Sequence, residues 1–138
     1  MSAIATFHPG PHLSECLTPA INDAGRTLRV TVERSGSGVL LRVGGEVDAS
    51  SEVTWKRLLG EVAAATAAPG PLVVDTNGLD FMGCAAFTVL AEQSAQCRRR
   101  GIELCLVSNQ PIVARIIAAG RLEAELSFYR NVDAALDA

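Results

Sequence analysis

The stretch LVVDTNGLDFMGCAAFTVL, Leu72 to Leu90, decides the fold. Its first residues, LVVD, form a continuous apolar run in which β-branched side chains supply half, and this predicts a short buried strand. Its end begins a segment in which Phe87, Leu90, Ala91 and Ser94 share one side at helical spacing. That spacing predicts a helix from about Cys84 to Arg100, with Gly101 in a C-cap position. Between strand and helix the residues read as a loop, the place where an α/β domain puts its chemistry. There the sequence offers Gly83, Cys84, Ala85 and Ala86, and no hydroxyl.

Working outward gives an alternating order. TLRVTVERSGSGVLLRVGGEVD, Thr27 to Asp48, alternates about the turn Ser35 to Gly38 and predicts a β-hairpin. Asp48, Ser50 and Ser51 are N-cap candidates for a helix whose apolar face is Trp55, Leu58, Leu59 and Val62, ending by the Pro/Gly run at Ala68 to Pro71. Downstream, IELCLV predicts a strand. Ile112, Val113, Ile116 and Ile117 predict a third helix stopping at Gly120, ELSFY an edge strand, and a short helix follows from Asn131. The order ββαβαβαβα implies right-handed crossovers and an α/β domain. Its mixed, mostly parallel sheet has about five strands, with three to four helices, and only the first hairpin is antiparallel. Residues 1–25, rich in Pro, Gly, Ser and His, are expected to be a flexible extension, leaving 26–138 as the single domain.

Composition sets the outer bounds. The 138 residues are 49% hydrophobic and 20% charged, enough for one packed domain. A net charge of −3 provides no basic field for a phosphate backbone, so no nucleic acid is expected as partner. Arg98 to Arg100 read as a solvated helix end complementing the dipole. No apolar run approaches the ~18 residues of a membrane span, and the N-terminus lacks a signal-peptide layout, so a cytoplasmic protein is expected. In a reducing compartment the four cysteines, Cys16, Cys84, Cys97 and Cys105, are expected to be free thiols. His8, His12 and Cys16 would align as metal ligands on a helix, but Pro9, Gly10 and Pro11 forbid that helix, and no metal or other cofactor is expected. Arginine outnumbers lysine eleven to one, which points to a GC-rich bacterial genome.

Enzyme motifs are absent from the sequence: no phosphate-binding glycine loop, no nucleophile elbow, and both histidines lie in the N-terminal tail. Cys84 therefore lacks an evident general base. Asp75 and Asp80 flank the loop as a carboxylate pair or as ordinary turn and cap residues. The expectation is a protein that is not an enzyme.

Three motifs in order, GGEVDASS, LVVDTNGLDFMGCAAFTVL and GIELCLVSNQPIVARII, resemble a STAS domain of the anti-sigma factor antagonist type, over about residues 27 to 136. The resemblance implies a non-catalytic binding module that docks on an anti-sigma factor, usually a serine kinase, and so releases a sigma factor for transcription; it leaves room for a homodimer. The family's central motif, Phe-Ile/Met-Asp-Ser-Ser-Gly-Leu, aligned on Phe81 and Met82, puts its Asp on Gly83 and its first Ser on Cys84. The phosphorylated second Ser falls on Ala85, the Gly on Ala86 and the Leu on Phe87. Gly45, Glu46, Val47 and Asp48 match the family's Gly-Glu-Val/Leu-Asp. A phosphate adds about −1.5 to −2 charge to an interface shaped for a small neutral side chain. Ala85 has no oxygen to accept it, so docking is expected not to be switched by serine phosphorylation.

The expected partner-binding residues are Asp48, Gly83, Cys84, Ala85, Ala86, Thr88 and Val89. Taking Phe87, Leu90, Ala91 and Ser94 as the buried stripe, Ala85 and Val89 face solvent one turn apart. Thr88 is the nearest hydroxyl, about 60° around the helix from Ala85. Two other readings stay open: an accessory subunit of a lipid-transport ABC system gripping its transporter with the same face, and a thiol-based redox sensor using Cys84. Cys97 and Cys105 flank a helix-to-strand turn and are further redox candidates.

Overall fold

The computed structural model describes residues 8–9, 28–120 and 126–136. Its six-stranded sheet has the spatial order of the sequence. The first strand, β1 (His8–Pro9), is a two-residue ladder against Arg34 and Glu33, within a tail that carries no sequence period. His12 and Cys16 lie outside the described residues. β2 (Leu28–Ser35) and β3 (Gly38–Val47) form the expected hairpin, with Ser35 opposite Gly38. Its two-residue turn needs a left-handed conformation, which Gly36 adopts at φ 58°. The remaining strands, β4 (Leu72–Met82), β5 (Leu104–Val107) and β6 (Ser127–Tyr129), pair parallel, each joined to its neighbour through a helix. Those helices are α1 (Glu52–Ala65), α2 (Cys84–Arg99) and α3 (Pro111–Ala119), and α4 (Val132–Leu136) closes the described chain. Beyond β1, which lies in the stretch expected to be a flexible extension and adds a sixth strand and a second antiparallel pair, the element order is the expected one.

One boundary differs. The short strand expected at Leu72–Asp75 runs on to Met82, so Thr76 to Met82, read as a loop, is extended strand. The reason lies in β3, which continues to Val47 and keeps offering backbone partners. Register shifts between Arg42 and Gly44 and between Gly45 and Glu46 absorb the interruptions. Gly44 sits opposite Gly78 there, and a Cβ on Gly78 would lie 3.1 Å from the Val43 oxygen and 3.3 Å from the Gly44 Cα. Any other residue would push the two backbones apart by a few tenths of an ångström.

Period-2 alternation divides the sheet into two faces. Leu28, Val39, Leu41, Val43, Leu72, Val74, Leu104 and Leu106 share one core with α1, α2 and α3. Trp55, fully buried, donates its indole N–H to the Ala86 carbonyl at 3.2 Å, which joins α1 to α2 without an unpaired donor. The other face holds Leu40, Val73, Cys105 and Val107, covered by Ala135 and Val132 of α4. Beyond α4 it turns polar, and Arg42 lies 3.8 Å from Glu33 and 3.9 Å from Asp75. Asp75, weighed above as half of a carboxylate pair, also accepts the Asn77 amide at 3.0 Å, which is turn chemistry.

α2 closes with Gly101 at φ 75°, its N–H on the Arg98 carbonyl, and the Ile102 N–H on that of Cys97: a Schellman pattern. Arg100, read from sequence as a solvated helix end, instead donates to the Ala63 carbonyl at 2.7 Å and the Thr66 carbonyl at 3.0 Å. It thereby adds a second donor to the Ala63 carbonyl, which also accepts the Thr66 amide at 3.1 Å, and supplies one to the Thr66 carbonyl at the end of α1, where helix geometry leaves carbonyls without intrahelical partners.

Candidate functional site

Parallel pairing of β3 and β4 brings two of the three motifs to the same level. Glu46 pairs with Phe81 and Val47 with Met82, and the Gly83 N–H donates to the Val47 carbonyl at 2.9 Å. Both strands then turn into helices, β3 toward α1 and β4 toward α2. Their turns enclose a shallow depression lined by Val47, Asp48, Ala49 and Glu52 on one side and by Phe81, Gly83, Cys84, Ala85 and Ala86 on the other. None of these nine residues carries a hydroxyl.

Local hydrogen bonds fix the β3–α1 side. Asp48 accepts the Ser50 hydroxyl at 2.6 Å and the Ser50 amide at 2.9 Å, while the Asp48 amide donates to the Ser51 hydroxyl at 3.0 Å. The Ser50 hydroxyl, supported by the amides of Ser50 and Ser51, holds the Asp48 carboxyl below its ordinary range. Of the three N-cap candidates, Ser51 occupies the position. Its side chain makes no cap hydrogen bond, because its oxygen receives the Asp48 amide. The β4–α2 side is plainer. Gly83 is the N-cap of α2, at φ −70° and ψ 159°, without a side-chain cap, and Cys84 opens the helix.

The expected binding residues divide into two groups. Asp48, Gly83, Cys84 and Ala85 come together at the depression with Ala86 at its buried edge, and Thr88 is exposed one turn along α2. Ala86 and Val89 do not belong to an exposed face: they are 3% and 7% exposed and part of the main core. The stripe Phe87, Leu90, Ala91 and Ser94 marks only the arc facing the sheet. α2 also packs beside α1, which widens its buried arc to roughly 200° of the helix circumference and takes in both residues. Ala85, Thr88 and Glu92 remain on the exposed arc.

The thiols divide likewise. Cys84 is exposed, whereas Cys97 and Cys105 are buried and free. They cannot bridge, because Cys97 faces the main core and Cys105 the opposite face of the sheet. Burial pushes the Cys97 thiol up, with Arg100 opposing, and pushes Cys105 up to about 12, with the Glu103 carboxylate adding to it. Both environments disfavour the reactive thiolate, which removes the grounds for reading them as redox residues. Among the described residues, no group of three or more His, Cys, Asp or Glu is placed to hold a metal ion, and no helix is long and apolar enough to cross a membrane.

Sequence reasoning missed Phe81 as a surface residue. Alternation from buried Leu79 puts it inward, but the register shift at Gly45 and Glu46 breaks the period, and Phe81 is 52% exposed at the rim. Glycines bracketing an aromatic residue in a strand are the local signal for such a break.

Comparison with known proteins places this geometry. The STAS domain family matches residues 29–135. A Mycobacterium tuberculosis (strain H37Rv) protein provisionally named anti-anti-sigma factor Rv2638 is 52% identical over 127 residues, 91% of this chain and 86% of that protein. The anti-sigma-F factor antagonist RsfA of Mycobacterium tuberculosis is 46% identical over 121 residues, 88% of this chain and 91% of its own. The fold matches an anti-sigma factor antagonist from Mycobacterium paratuberculosis at TM-score 0.72, with 23% identity over 80% of this chain and 92% of that one. It matches unphosphorylated SpoIIAA at TM-score 0.63, with 14% identity over 79% and 94%. With its motifs side by side at the ends of two parallel strands, and a family match running from β2 into α4, this chain belongs to the STAS domain family.

Proposed function

We propose that this STAS domain is a non-catalytic anti-sigma factor antagonist of the cytoplasm. It docks on an anti-sigma factor of the serine-kinase type through the depression between the β3–α1 and β4–α2 turns, and so frees a sigma factor. The names of its two mycobacterial relatives support the class of function. One observation carries the regulatory part: Ala85, at the position of the family's acceptor serine, is exposed at a depression whose lining has no hydroxyl. Docking is therefore always permitted, and control passes to the supply of antagonist or to the partner.

The test begins with recovery and identification of the protein's binding partner from its native host. With the purified anti-sigma factor, affinity should be equal with and without ATP, and mass spectrometry should find Ala85 and its neighbours unmodified. Ala85→Arg, which drives a long cation into the depression, should abolish binding. Phosphate on Thr88 accompanied by loss of binding would show that the switch has moved; recovery of a membrane transporter alone would favour the accessory-subunit reading.

A further inference from the structure

The large exposed apolar side chains among the described residues are Val53, Phe81 and Ile112, and they do not scatter. Val53 lies in the first turn of α1, Phe81 at the carboxyl end of β4 and Ile112 in the first turn of α3. In a parallel sheet these are all one end of the molecule, the end that carries the depression. Phe81 and Ile112 also border a second concavity, a groove between the end of β4 and α3. Buried Leu79, Phe87 and Val113 form its floor, and Phe81, Met82 and Ile112 its walls.

The groove is preformed. Gln110, the N-cap residue of α3, donates its side-chain amide to the Leu79 carbonyl at 2.9 Å, and Thr76 donates to the Val107 carbonyl at 2.8 Å. These bonds hold α3 and β5 at a fixed distance from β4, so nothing need be ordered when the groove is filled. Phe81 lines both the groove and the depression, so the two concavities adjoin across its ring. Among the described residues their charged lining is Asp48, Glu52 and Asp80, all acidic, with no cation. An occupant complementary to this surface brings an apolar side chain with cations beside it.

We propose that the docking surface extends across Phe81 into the β4–α3 groove, where the anti-sigma factor seats an apolar side chain flanked by lysine or arginine. This rests on the antagonist reading above. It adds the second anchor point and the chemistry of the partner segment.

Isothermal titration with the purified anti-sigma factor decides the matter, each variant first being shown by circular dichroism to melt with the wild type. Ile112→Ser removes a groove wall without touching the depression and should weaken binding about tenfold or more. Asp80→Asn should reduce the salt dependence of the affinity. On the unaltered protein, the backbone amide resonances of Ile112 and Asp80 should shift as the anti-sigma factor is added. If Ala85→Arg abolishes binding while Ile112→Ser binds as the wild type and those resonances stay put, the extension is wrong and the antagonist reading stands. If neither substitution matters, both fall. A wild-type dimer in sedimentation that Ile112→Ser dissociates would assign the groove to self-association and overturn the proposal.

Discussion

The two ends of α2 are built to opposite rules. At its carboxyl end the chain is tied: a Schellman turn closes the helix, Cys97 is buried, and Arg100 reaches over to the end of α1. At its amino end no side chain caps the helix, and the first residues are glycine, cysteine and alanine, with Cys84 and Ala85 exposed. One end holds the fold. The other presents a small, open surface that stability does not require, which is where a protein can place recognition at low cost to its folding.

The contrast is sharpest in the thiols. Alkylation of the native protein should label Cys84 readily, whereas Cys97 and Cys105 wait for opening of the core and should react about 10³-fold more slowly or less. Mass spectrometry of a labelling time course measures the ratio; equal rates at Cys84 and Cys97 would mean that both ends open alike. A pH effect follows in the same region. The folded state keeps the Cys105 proton up to about 12, while the unfolded chain releases it near 9.0. Stability contributed by the neutral thiol is thus complete below pH 9 and lost as pH rises from there toward 12. Urea unfolding across that window should show the decline, less steep in Cys105→Ala.

Next in size is the same substitution at two positions one turn apart. Val89→Arg puts a cation into the core between α2 and α1 and should cost more than about 3 kcal/mol. Ala85→Arg, on the exposed arc, should change stability by no more than about 0.5 kcal/mol while removing partner binding. Denaturant midpoints separate the two. A tolerated Val89→Arg would restore the sequence expectation that both residues face solvent.

That pair also marks how far the sequence could be read. The stripes of the two long helices were legible: Trp55, Leu58, Leu59 and Val62 on α1, and Phe87 and Leu90 on α2, are all buried, whereas of the α3 stripe Val113 and Ile117 are buried and Ile112 is exposed. A stripe carries no record of a second neighbour, so the α1-facing flank at Ala86 and Val89 was read as surface. Arg100 was misread for the same reason, its partners Ala63 and Thr66 lying 37 and 34 residues away. β4 looked too short because Thr76, Asn77 and Gly78 have loop composition, and pairing with β3 on either side, at Asp75 and from Gly78 onward, carries the strand across them. The site was legible where a motif supplied it, Asp48 and Gly83 to Ala85, and opaque at Phe81, whose exposure arises from a register shift between strands.

Arg100→Ala tests the tied end at smaller scale. It deletes two charge-assisted hydrogen bonds, leaving the Ala63 carbonyl with the Thr66 amide as its remaining partner and the Thr66 carbonyl to water, for a loss of about 1 to 2 kcal/mol. Because α1 and α2 should loosen without unfolding, the urea midpoint should fall with an unchanged slope. Arg100→Lys should recover only part of the loss, since one ammonium cannot span both carbonyls as the guanidinium fork does.

The smallest expected effect asks whether the open end is open by necessity. Gly83 lies at φ −70° and ψ 159°, the extended conformation of an N-cap, which any residue adopts. A Cβ added there would meet the Val47 oxygen at 3.7 Å and a Phe81 ring carbon at 3.8 Å, both ordinary contacts. The backbone thus accepts the aspartate that the family motif has at this position. In Gly83→Asp the carboxylate would receive a first-turn amide and meet the positive end of the helix dipole, a gain held to a few tenths of a kcal/mol because glycine is itself a tolerable N-cap. Hydrogen bonding to the ionised form lowers the pKa of such a group, so the gain should be present above the unfolded aspartate value near 3.9 and disappear as pH falls below it. Thermal melts of the variant and wild type at pH 7 and pH 3 measure the difference. A small gain at pH 7 that vanishes at pH 3 would show that the uncapped amino end of α2 comes from the choice of side chain. A loss at pH 7 would mean that the neighbouring carboxylates Asp48 and Glu52 outweigh the dipole, and that the acidity of the depression itself keeps this position glycine.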